Sequence, residues 1–413
     1  MRESPSTAPL WPPQLCPQPR GAAHRPDARL NGAEPNHSKP RAEIKKWPAY
    51  FQELGYEVVA FGKVSHYRHT KDYGFDHFAH DTFHDHAAIP AAVEWLKNRP
   101  REGARPLCLM VGSNWPHVPW PVAHPDYDPA SLTLPAGSID TPETRDFRAR
   151  YAAAVANADD DLGRVMAAAR ECLPADTLFL FSADHGAQWP FEKWNLYESG
   201  VCVPLIVVWP GVVQPGTRSP AMVQWVDFLP TLVEAAGGTP PKGIDGRSFL
   251  PVLRGGATQH REVIFTTHSG DAAMNVYPMR AIRTGDWKLI LNLHPEFAFT
   301  THIDKALARD GGRYWISWYE AARTNAAAAA IVKRYHERPA IELYDLRSDP
   351  HEQRNLAADP DLASRIGTLR GRLETWMQQQ GDQQTVYNTP RLLSDPASTK
   401  PGVNSGTNTP SRP

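Results

Sequence analysis

Short apolar runs alternate with helical patterns between residues 44 and 238, and most of these runs end in small or polar residues. Such runs are typical of buried parallel strands, whose carboxyl ends meet at one edge of a sheet and carry chemistry there. Strands that alternate with helices predict an α/β fold, with a doubly wound, mostly parallel sheet flanked by helices. The predicted strands are "EVVAFGK", "PLCLMVGS", "TLFLFSADHG" and "VPLIVVWPG".

Helical patterns separate these strands. The pattern "IKKWPAYFQELGY" predicts a helix that ends at Gly55, and "VDFLPTLVEAAGG" predicts another that is closed by glycine. The longest helix begins after Thr141, a good N-cap residue, with Pro142 in its first turn. The apolar stripe expected along this helix consists of Phe147, Tyr151, Val155, Leu162 and Val165.

The pattern changes after about Arg254, where strands with turn signals between some of them precede a long helix near the C-terminus. This predicts a smaller C-terminal α+β subdomain with an antiparallel sheet over residues 256–384, after an α/β core over residues 31–255. The Ser-, Thr-, Pro- and Asn-rich residues 385–413 are predicted to be a disordered tail. Residues 1–30 are rich in proline and aperiodic, so no ordered structure is predicted for them.

The overall composition limits the classes of partner that this chain can have. With 413 residues, 41% of them apolar, the chain can form a large core, and its net charge of -1 gives no indication of nucleic acid binding. No apolar run is long enough to cross a bilayer, and the first residues lack the charged-then-apolar order of a signal peptide. Cys108 and Cys202 lie within strand patterns and are expected to be buried free thiols rather than a disulfide.

Two groups of polar residues are of the types that bind metal ions. Asp184 and His185 directly follow a predicted strand, where a carboxylate and an imidazole are well placed to hold a divalent cation. From these residues alone, a helix-capping Asp184 and a surface His185 are an equally open alternative. The run "HFAHDTFHDH" at residues 77–86 has loose spacing and interleaved aromatic residues, and we interpret it as a surface loop.

Lysine and histidine residues also follow the predicted strands. Lys63 and His66 come after "EVVAFG", His117 comes after "PLCLMVGS", and Lys193 lies eight residues after His185. A single lysine is most often a solvated charge, and a single histidine is most often structural. Because these loops share one edge of the predicted sheet, we predict that their cationic side chains converge on a single anion-binding pocket.

From about Asn31 to Gln380 the chain resembles a sulfatase of the alkaline-phosphatase superfamily. The stretch "YPMRAIRTGDWKLILNL" is most similar to the heparan N-sulfatase (sulfamidase) branch. The resemblance implies a hydrolase of sulfuric esters or sulfamates, with a sulfated small molecule or glycan as substrate. The motifs that carry it are, in order, "NGAEPNH", "YFQELGYEVVAFGKVSH", "YGFDHF", "NWPHVPW", "FSADHG", "EKWNLYESGVCVPLIVVWPG", "VDFLPTLVEAAGG" and "ELYDLRSDPHEQRNLA".

The resemblance implies a role for each of the polar residues. Asp184 and His185 would bind the metal, usually calcium in this family, opposite an Asp–Asp pair on the first strand. Many relatives have Asn where His185 stands, and imidazole is a poor calcium ligand, so the identity of the metal stays open. Lys63, His117 and Lys193 would hold the sulfate oxygens and offset charge that develops on the leaving group.

The family's nucleophile is a formylglycine, made from the Cys of a C-x-P-S-R motif. Its hydrate attacks sulfur, the alcohol or amine leaves, and the hemiacetal then expels sulfate, which splits one hard hydrolysis into two easier steps. His66 would hydrogen-bond to the geminal hydroxyl of this group. Cys16 and Arg20 have the separation of the motif, but Gln18 and Pro19 stand where the family has Pro and Ser.

Within residues 1–30, we interpret roughly residues 15–29 as an out-of-frame translation of the catalytic segment. A shift of one nucleotide, with synonymous codons left free, turns this stretch into C-A-P-S-R-A-A-L-L-T-G-L, the family signature. The cause is a sequencing error or a real frameshift. The first sheet strand, with its Asp–Asp pair, is expected to be absent as well, so we predict little or no activity for the chain as it stands.

Other functions stay open at this level. A phosphate or phosphonate monoester hydrolase of the same superfamily shares this pocket, and an inactive pseudoenzyme could bind sulfated glycans without cleaving them. The presence of Lys63, His117 and Lys193 together argues against long neutral drift and therefore against an old pseudoenzyme. Intact relatives are commonly exported, so we expect a periplasmic or secreted location for an intact protein, although no signal peptide is recognisable here.

Overall fold

A computed structural model describes residues 15–16, 33–36, 38–65, 67–82, 84–122, 125–307 and 312–402 of this chain. Strands and helices are numbered along the chain. The strands are β1 (Leu15–Cys16), β2 (Glu57–Gly62), β3 (His77–Ala79), β4 (Leu107–Gly112), β5 (Phe179–Ser182), β6 (Leu205–Val208), β7 (Val223–Gln224), β8 (Ile264–His268), β9 (Met279–Arg283), β10 (Trp287–Asn292) and β11 (Ile341–Asp345). The helices are α1 (Trp47–Gln52), α2 (Ala88–Asn98), α3 (Pro142–Cys172), α4 (Glu198–Val201), α5 (Phe228–Ala235), α6 (Leu250–Leu253), α7 (His302–Lys305), α8 (Arg313–Ala322), α9 (Ala326–His336) and α10 (Ala363–Gln379).

The strand β2 lies in the middle of a parallel sheet with the order β3-β2-β4. In this register Val59 of β2 pairs with His77 of β3 on one side and with Leu109 of β4 on the other. The strands β5 and β6 form a separate antiparallel pair, in which Phe181 lies opposite Ile206. The helix α2 packs on β2 and β4 and is covered in turn by α3. The predicted α/β fold, with flanking helices around a mostly parallel sheet, is confirmed.

The strands β4 and β5 are less buried than their apolar sequences predict. Every residue of both strands is half-buried, although continuous apolar runs suit the interior of a parallel sheet. The reason is that β4 pairs only with β2, and β5 only with β6, within the part of the chain that the structure describes. The other edge of each strand therefore contributes to the solvent-accessible surface. The absence of the family's first strand stays a prediction.

Two predicted helices differ in detail from the structure. The hydroxyl oxygen of Thr141 caps α3 by accepting the backbone N–H of Thr144 at 3.0 Å, as expected. Val155, which the sequence places in the apolar stripe, is instead 42% exposed. The face of α3 that packs on α2 and α8 consists mainly of alanines, which let these helices approach closely, and Val155 lies outside this face. The helix α1 is shorter than predicted, since Pro48 suits a first turn and the helix ends before Gly55.

The C-terminal part forms the predicted antiparallel sheet. Its strand order is β11-β10-β9-β8, and Ile282 of β9 lies opposite Leu289 of β10. The helix α10 packs on this sheet, where the ring of Trp376 stacks on the ring of Phe265 with centroids 4.8 Å apart. A boundary between residues 255 and 256 stays a prediction.

The prediction of a disordered tail from residue 385 is wrong for residues 385–402. Leu392 forms a β-bridge with Phe297, and the buried Lys305 side chain donates hydrogen bonds to the carbonyls of Ser398 (2.8 Å) and Lys400 (2.7 Å). The backbone of this segment supplies acceptors to a buried ammonium group, which its side-chain composition does not reveal. Residues 403–413 lie outside the described part of the chain.

Cys108 and Cys202 are free thiols, as the sequence predicts, but their side chains are half-buried rather than fully buried. Cys172 is a free thiol as well. Burial raises the pKa of Cys108 and of Cys202 to about 12, so both stay protonated and unreactive at neutral pH. Among the described residues, no helix has the length and apolar character needed to cross a bilayer.

Candidate active site

The loops that follow β2 and β4 are tied together at the carboxyl edge of the parallel sheet. The backbone N–H of Lys63 donates to the carbonyl oxygen of Gly112 at 3.0 Å. A side chain at Gly112 would collide with the backbone oxygen of Lys63, so this close approach requires glycine. Lys63 and the loop that carries His117 therefore start from adjacent points, as the sequence pattern predicts.

His117 is a neutral hydrogen-bond acceptor in this structure. Its Nδ1 lies 2.7 Å from the carbonyl oxygen of Val118, and because a carbonyl only accepts, Nδ1 carries the proton. The other ring nitrogen, Nε2, lies 3.4 Å from Nζ of Lys193 and accepts from that ammonium group. Burial, together with the positive charges of Lys193 and Lys63, lowers the pKa of His117 to about 2.

Lys193 lies on a loop that folds back on itself after β5. The backbone N–H of Gly186 donates to the carbonyl oxygen of Gly200 at 2.9 Å, and that of Lys193 donates to the carbonyl oxygen of Ala187 at 2.9 Å. A side chain at Gly186 would collide with the backbone of Ser199. Lys193 is 9% exposed, so its ammonium group acts in a less polar environment than water.

Asp184 and His185 lie near this cluster but provide only two side-chain donors. Nε2 of His185 lies 3.4 Å from Oδ2 of Asp184, and Nδ1 of His185 donates to the carbonyl oxygen of Gly186 at 2.8 Å. His185 also contributes to the low pKa of His117, so it faces the same site. No group of three or more His, Cys, Asp or Glu side chains in the described residues could hold a metal ion. Calcium takes six to eight oxygen ligands, so the described donors do not fit a calcium site.

His84 belongs to the same cluster, which the sequence analysis missed. The ring of His84 meets the ring of His117 edge to face, with centroids 5.7 Å apart, and its backbone N–H donates to Oδ1 of Asn114 at 2.9 Å. The interpretation of residues 77–86 as a surface loop is therefore wrong for His84. The exposed His77 and Phe78 still fit that interpretation. No spacing signal identifies His84, because it reaches the site through a left-handed backbone conformation (φ 64°).

The structure brings together four of the residues predicted from the strand-end pattern. Lys63, Lys193 and His185 each lower the pKa of His117, and Asp184 lies beside His185. This is the arrangement that the sequence predicts for an anion pocket, although the role of each side chain stays a prediction.

Three further candidates cannot be placed. His66, Arg20 and the side chain of Cys16 lie outside the described residues. The backbone of Cys16 is described, and it pairs with Gln224 of β7 in a parallel bridge.

The neutral state of His117 can be measured directly. We expect the imidazole to keep its single proton on Nδ1 from about pH 5 to about pH 8, since burial and two nearby ammonium groups oppose a second proton. The measurement is the pair of imidazole ¹⁵N chemical shifts, assigned by their loss in His117→Gln. A titration with a midpoint near the ordinary value of about 6.5 would contradict this electrostatic description.

Comparisons with known proteins identify the class. A family model described as "Sulfatase" matches residues 25–238, which is more than half of the chain. The chain belongs to the sulfatase family, whose members are hydrolases of sulfate esters or N-sulfates.

A second family model points to a branch of this family. It is described as "N-sulphoglucosamine sulphohydrolase, C-terminal" and matches residues 184–301. The human N-sulphoglucosamine sulphohydrolase is 30% identical over 270 residues, covering 60% of this chain and 51% of that protein. The "Ulvan-active sulfatase" of Formosa agariphila is 30% identical over 361 residues, covering 85% of this chain and 68% of that protein.

The fold has solved counterparts. A structure described as BT4656 in complex with its substrate D-glucosamine-2-N,6-O-disulfate superposes with a TM-score of 0.64 at 18% sequence identity. The match covers 90% of this chain and 90% of that one. At this identity the likeness establishes the fold.

Proposed function

We propose that this chain is a hydrolase of a sulfate ester or an N-sulfate on a sugar, and that it binds the sulfuryl group beside Lys193, Lys63 and His117. The observation that carries the proposal is the contact between the buried ammonium of Lys193 and the neutral imidazole of His117. The proposal is supported by the sulfatase family match and by the similarity to N-sulphoglucosamine sulphohydrolase.

The two ammonium groups suit a bound oxyanion. Fixed donors in a site that excludes water stabilise developing negative charge more strongly than water does, because they do not have to reorient during the reaction. Lys193 is fixed from two sides, by Nε2 of His117 and by the Trp194 ring, whose centroid lies 4.7 Å from Nζ. Lys63 adds a second positive charge from the adjacent loop.

His117 can respond to the bound anion. In the free protein, burial and the field of Lys193 and Lys63 keep Nε2 unprotonated. A bound sulfuryl group offsets that field, which favours a proton on Nε2 relative to the free protein.

The attack on sulfur needs a nucleophile, for which Cys16 is the candidate, and its side chain lies outside the described residues. We derive no step through that group and none through a metal, since the described donors do not fit calcium. The steps assigned to this chain's own residues are binding of the sulfuryl group and stabilisation of its charge.

Loss of the Lys193 ammonium tests the proposal. We expect Lys193→Ala to weaken binding of glucosamine 2-N-sulfate by roughly 10- to 100-fold, because a charge-assisted hydrogen bond contributes about 1.5–3 kcal/mol. Isothermal titration calorimetry on the 413-residue chain measures the change. Lys333→Ala is the matched control, since Lys333 is exposed on α9 and should leave affinity unchanged.

Three further measurements separate the alternatives. N-acetylglucosamine, which is uncharged, should bind weakly and equally to Lys193→Ala and Lys333→Ala. Equal affinity of Lys193→Ala and the unaltered chain for the sulfated sugar would refute the proposal. Released sulfate measures turnover, which we expect to be much slower than in a relative with an intact C-x-P-S-R motif.

The rates of cleavage of an aryl sulfate and an aryl phosphonate test the alternative function. If the aryl phosphonate were cleaved faster, a phosphonate hydrolase would replace the sulfate hydrolase proposed here.

A further inference from the structure

A cavity of about 180 Å³ lies beside the loop that follows β8. It is built by three segments that are far apart in sequence: residues 35–36, the loop 269–276, and residues 387–388. We call it the Tyr387 cavity. Its polar and turn-forming lining residues are Asn36, Ser269, Gly270, Ala272, Tyr387 and Asn388.

A buried carboxylate holds these three segments together. Glu34, which is 9% exposed, accepts hydrogen bonds from Oγ of Ser269 at 2.6 Å and from the hydroxyl of Tyr387 at 2.5 Å. Arg280 donates to the same carboxylate at 3.2 Å. The backbone N–H of Asn36 closes the wall by donating to the carbonyl of Gly270 at 3.1 Å. The cavity is therefore formed in advance of any ligand, which lowers the entropic cost of binding one.

The loop beside the cavity also contacts the segment that carries Lys193. Oδ2 of Asp271 accepts from the indole N–H of Trp194 at 2.8 Å. Nζ of Lys193 lies over the same indole ring, 4.7 Å from its centroid. The Trp194 side chain therefore contacts both a residue of the anion cluster and the loop that lines the Tyr387 cavity.

The loop itself is held in an uncommon conformation. Asp271 and Asn275 exchange backbone hydrogen bonds of 2.7 and 3.1 Å, and between them Ala272 has a left-handed backbone with φ 46°. The side chain of Asn275 fixes the loop from inside, with 2.7 Å to Nε2 of His268 and 2.8 Å to the carbonyl of Thr300. Left-handed non-glycine residues are concentrated at ligand-binding sites, where the surrounding structure maintains the strain.

The lining indicates the chemistry of the occupant. Among the described residues that line the cavity none is cationic, and behind its wall the carboxylate of Glu34 is paired with Arg280 while that of Asp271 accepts from Trp194. A lining of this kind suits hydroxyl groups. The Tyr387 side chain, 43% exposed, offers an aromatic face of the kind on which the C–H face of a sugar ring packs. The volume corresponds to about six water molecules, which is room for one pyranose.

We propose that the Tyr387 cavity binds an uncharged pyranose that is joined to the sulfated sugar, so that the preferred ligand is an oligosaccharide rather than a monosaccharide. This inference rests on the proposed function for the identity of the sulfated residue. It assigns Tyr387 as a residue that determines specificity for the linked sugar and does not contact the sulfuryl group.

The test compares two ligands on the 413-residue chain. One is glucosamine 2-N-sulfate, and the other is a disaccharide in which the same sugar is linked to an uncharged hexose. We expect the disaccharide to bind about tenfold tighter, which corresponds to about 1.4 kcal/mol. Tyr387→Ala should remove this gain and leave the affinity for the monosaccharide unchanged. Tyr387→Phe keeps the ring and should retain most of the gain.

The outcomes distinguish this inference from the proposed function. Equal affinity of the unaltered chain for both ligands, or a gain that survives in Tyr387→Ala, would overturn the cavity assignment. If Lys193→Ala leaves binding of the sulfated monosaccharide unchanged, the proposed function fails instead. In that case the unsulfated disaccharide tests the cavity alone. If Tyr387→Ala binds it more weakly than the unaltered chain does, and Lys193→Ala does not, the cavity assignment is supported. If all three proteins bind it equally, the cavity assignment is rejected.

Discussion

Replacement of Lys288 by methionine is expected to lower the free energy of unfolding by about 3–5 kcal/mol, because it removes one partner from a buried ion-pair network. Nζ of Lys288 lies 2.6 Å from Oε1 of Glu198 and 3.1 Å from Oε1 of Glu352, and it donates to the carbonyl of Leu196 at 2.9 Å. Methionine has a similar volume but no charge. It therefore leaves two buried carboxylates with less compensation while packing changes little.

The carboxylates of this network respond differently to burial. Burial would raise the pKa of Glu198, but Lys288 and Arg283 together hold it below its ordinary value. Burial raises the pKa of Glu352 to about 7, an effect that Lys288 partly offsets and Glu198 reinforces. Without Lys288, protonation of the carboxyl groups is the remaining way to remove the buried negative charge. The loss of stability in Lys288→Met should therefore be larger at about pH 8 than at about pH 6.

Urea unfolding followed by tryptophan fluorescence measures this change. Lys333→Met is the matched control, because Lys333 forms an exposed pair with Glu337 on α9 and should cost no more than about 0.5 kcal/mol. Similar small losses in both variants would show that the network contributes little. The result also concerns the site, since Leu196 and Glu198 belong to the loop that carries Lys193, and β10 of the C-terminal sheet holds that loop in place.

Asp227→Asn is expected to have an effect of similar size, about 3–5 kcal/mol, because Asp227 is fully buried and its charge is compensated by Arg261. The carboxylate accepts from Nε of Arg261 at 2.7 Å and from the backbone N–H groups of Gln224 at 2.9 Å and Arg247 at 2.8 Å. An amide has one acceptor instead of two and carries no charge, so Arg261 would remain buried without its counter-ion.

The acid dependence gives this prediction a second readout. Burial would raise the pKa of Asp227, but the hydrogen bonds and charge of Arg261, together with His260, whose Nε2 lies 3.2 Å from Oδ2, hold it below the ordinary value of 3.8. A depressed carboxyl pKa contributes stability that is fully present above the unfolded value and is lost as the pH falls through the folded one. The difference in unfolding free energy between the unaltered chain and Asp227→Asn should therefore be constant near neutral pH and shrink below about pH 4.

Asp176→Asn provides the control for this series. Asp176 is exposed in the turn before β5, so its replacement should change stability by less than about 0.5 kcal/mol. If the Asp227→Asn and Asp176→Asn variants unfold at the same urea concentration, the buried carboxylate has no special role. A difference that does not shrink in acid would point to packing rather than charge as its source.

The order of the elements and the strand-end residues could be predicted from the sequence. Apolar runs, helical periodicity, the Thr141 cap and the antiparallel C-terminal strands are encoded in windows of a few residues. Because the carboxyl ends of parallel strands meet at one edge, the same windows predict that Lys63 and His117 lie near each other. The motifs also predict the sulfatase family, which the comparisons confirm.

Burial and long-range partners could not be predicted in this way. The partial exposure of β4 and β5 depends on which strands lie beside them. The ordered conformation of residues 385–402 depends on hydrogen bonds from the Lys305 ammonium group, which the local composition does not reveal. His84 reaches the site only through the backbone conformation of its loop.

The sequence by itself therefore determined the fold class, the family and the residues offered at the sheet edge, because each is written in short local patterns. Only the tertiary structure decided the neutral state of His117, the hold of Lys288 on the loop that carries Lys193, and the cavity closed by Glu34 and Tyr387. Glu34 and Tyr387 are 353 positions apart in the chain. Contacts of that kind arise from the packing of the whole chain, and no pattern within a short window specifies them.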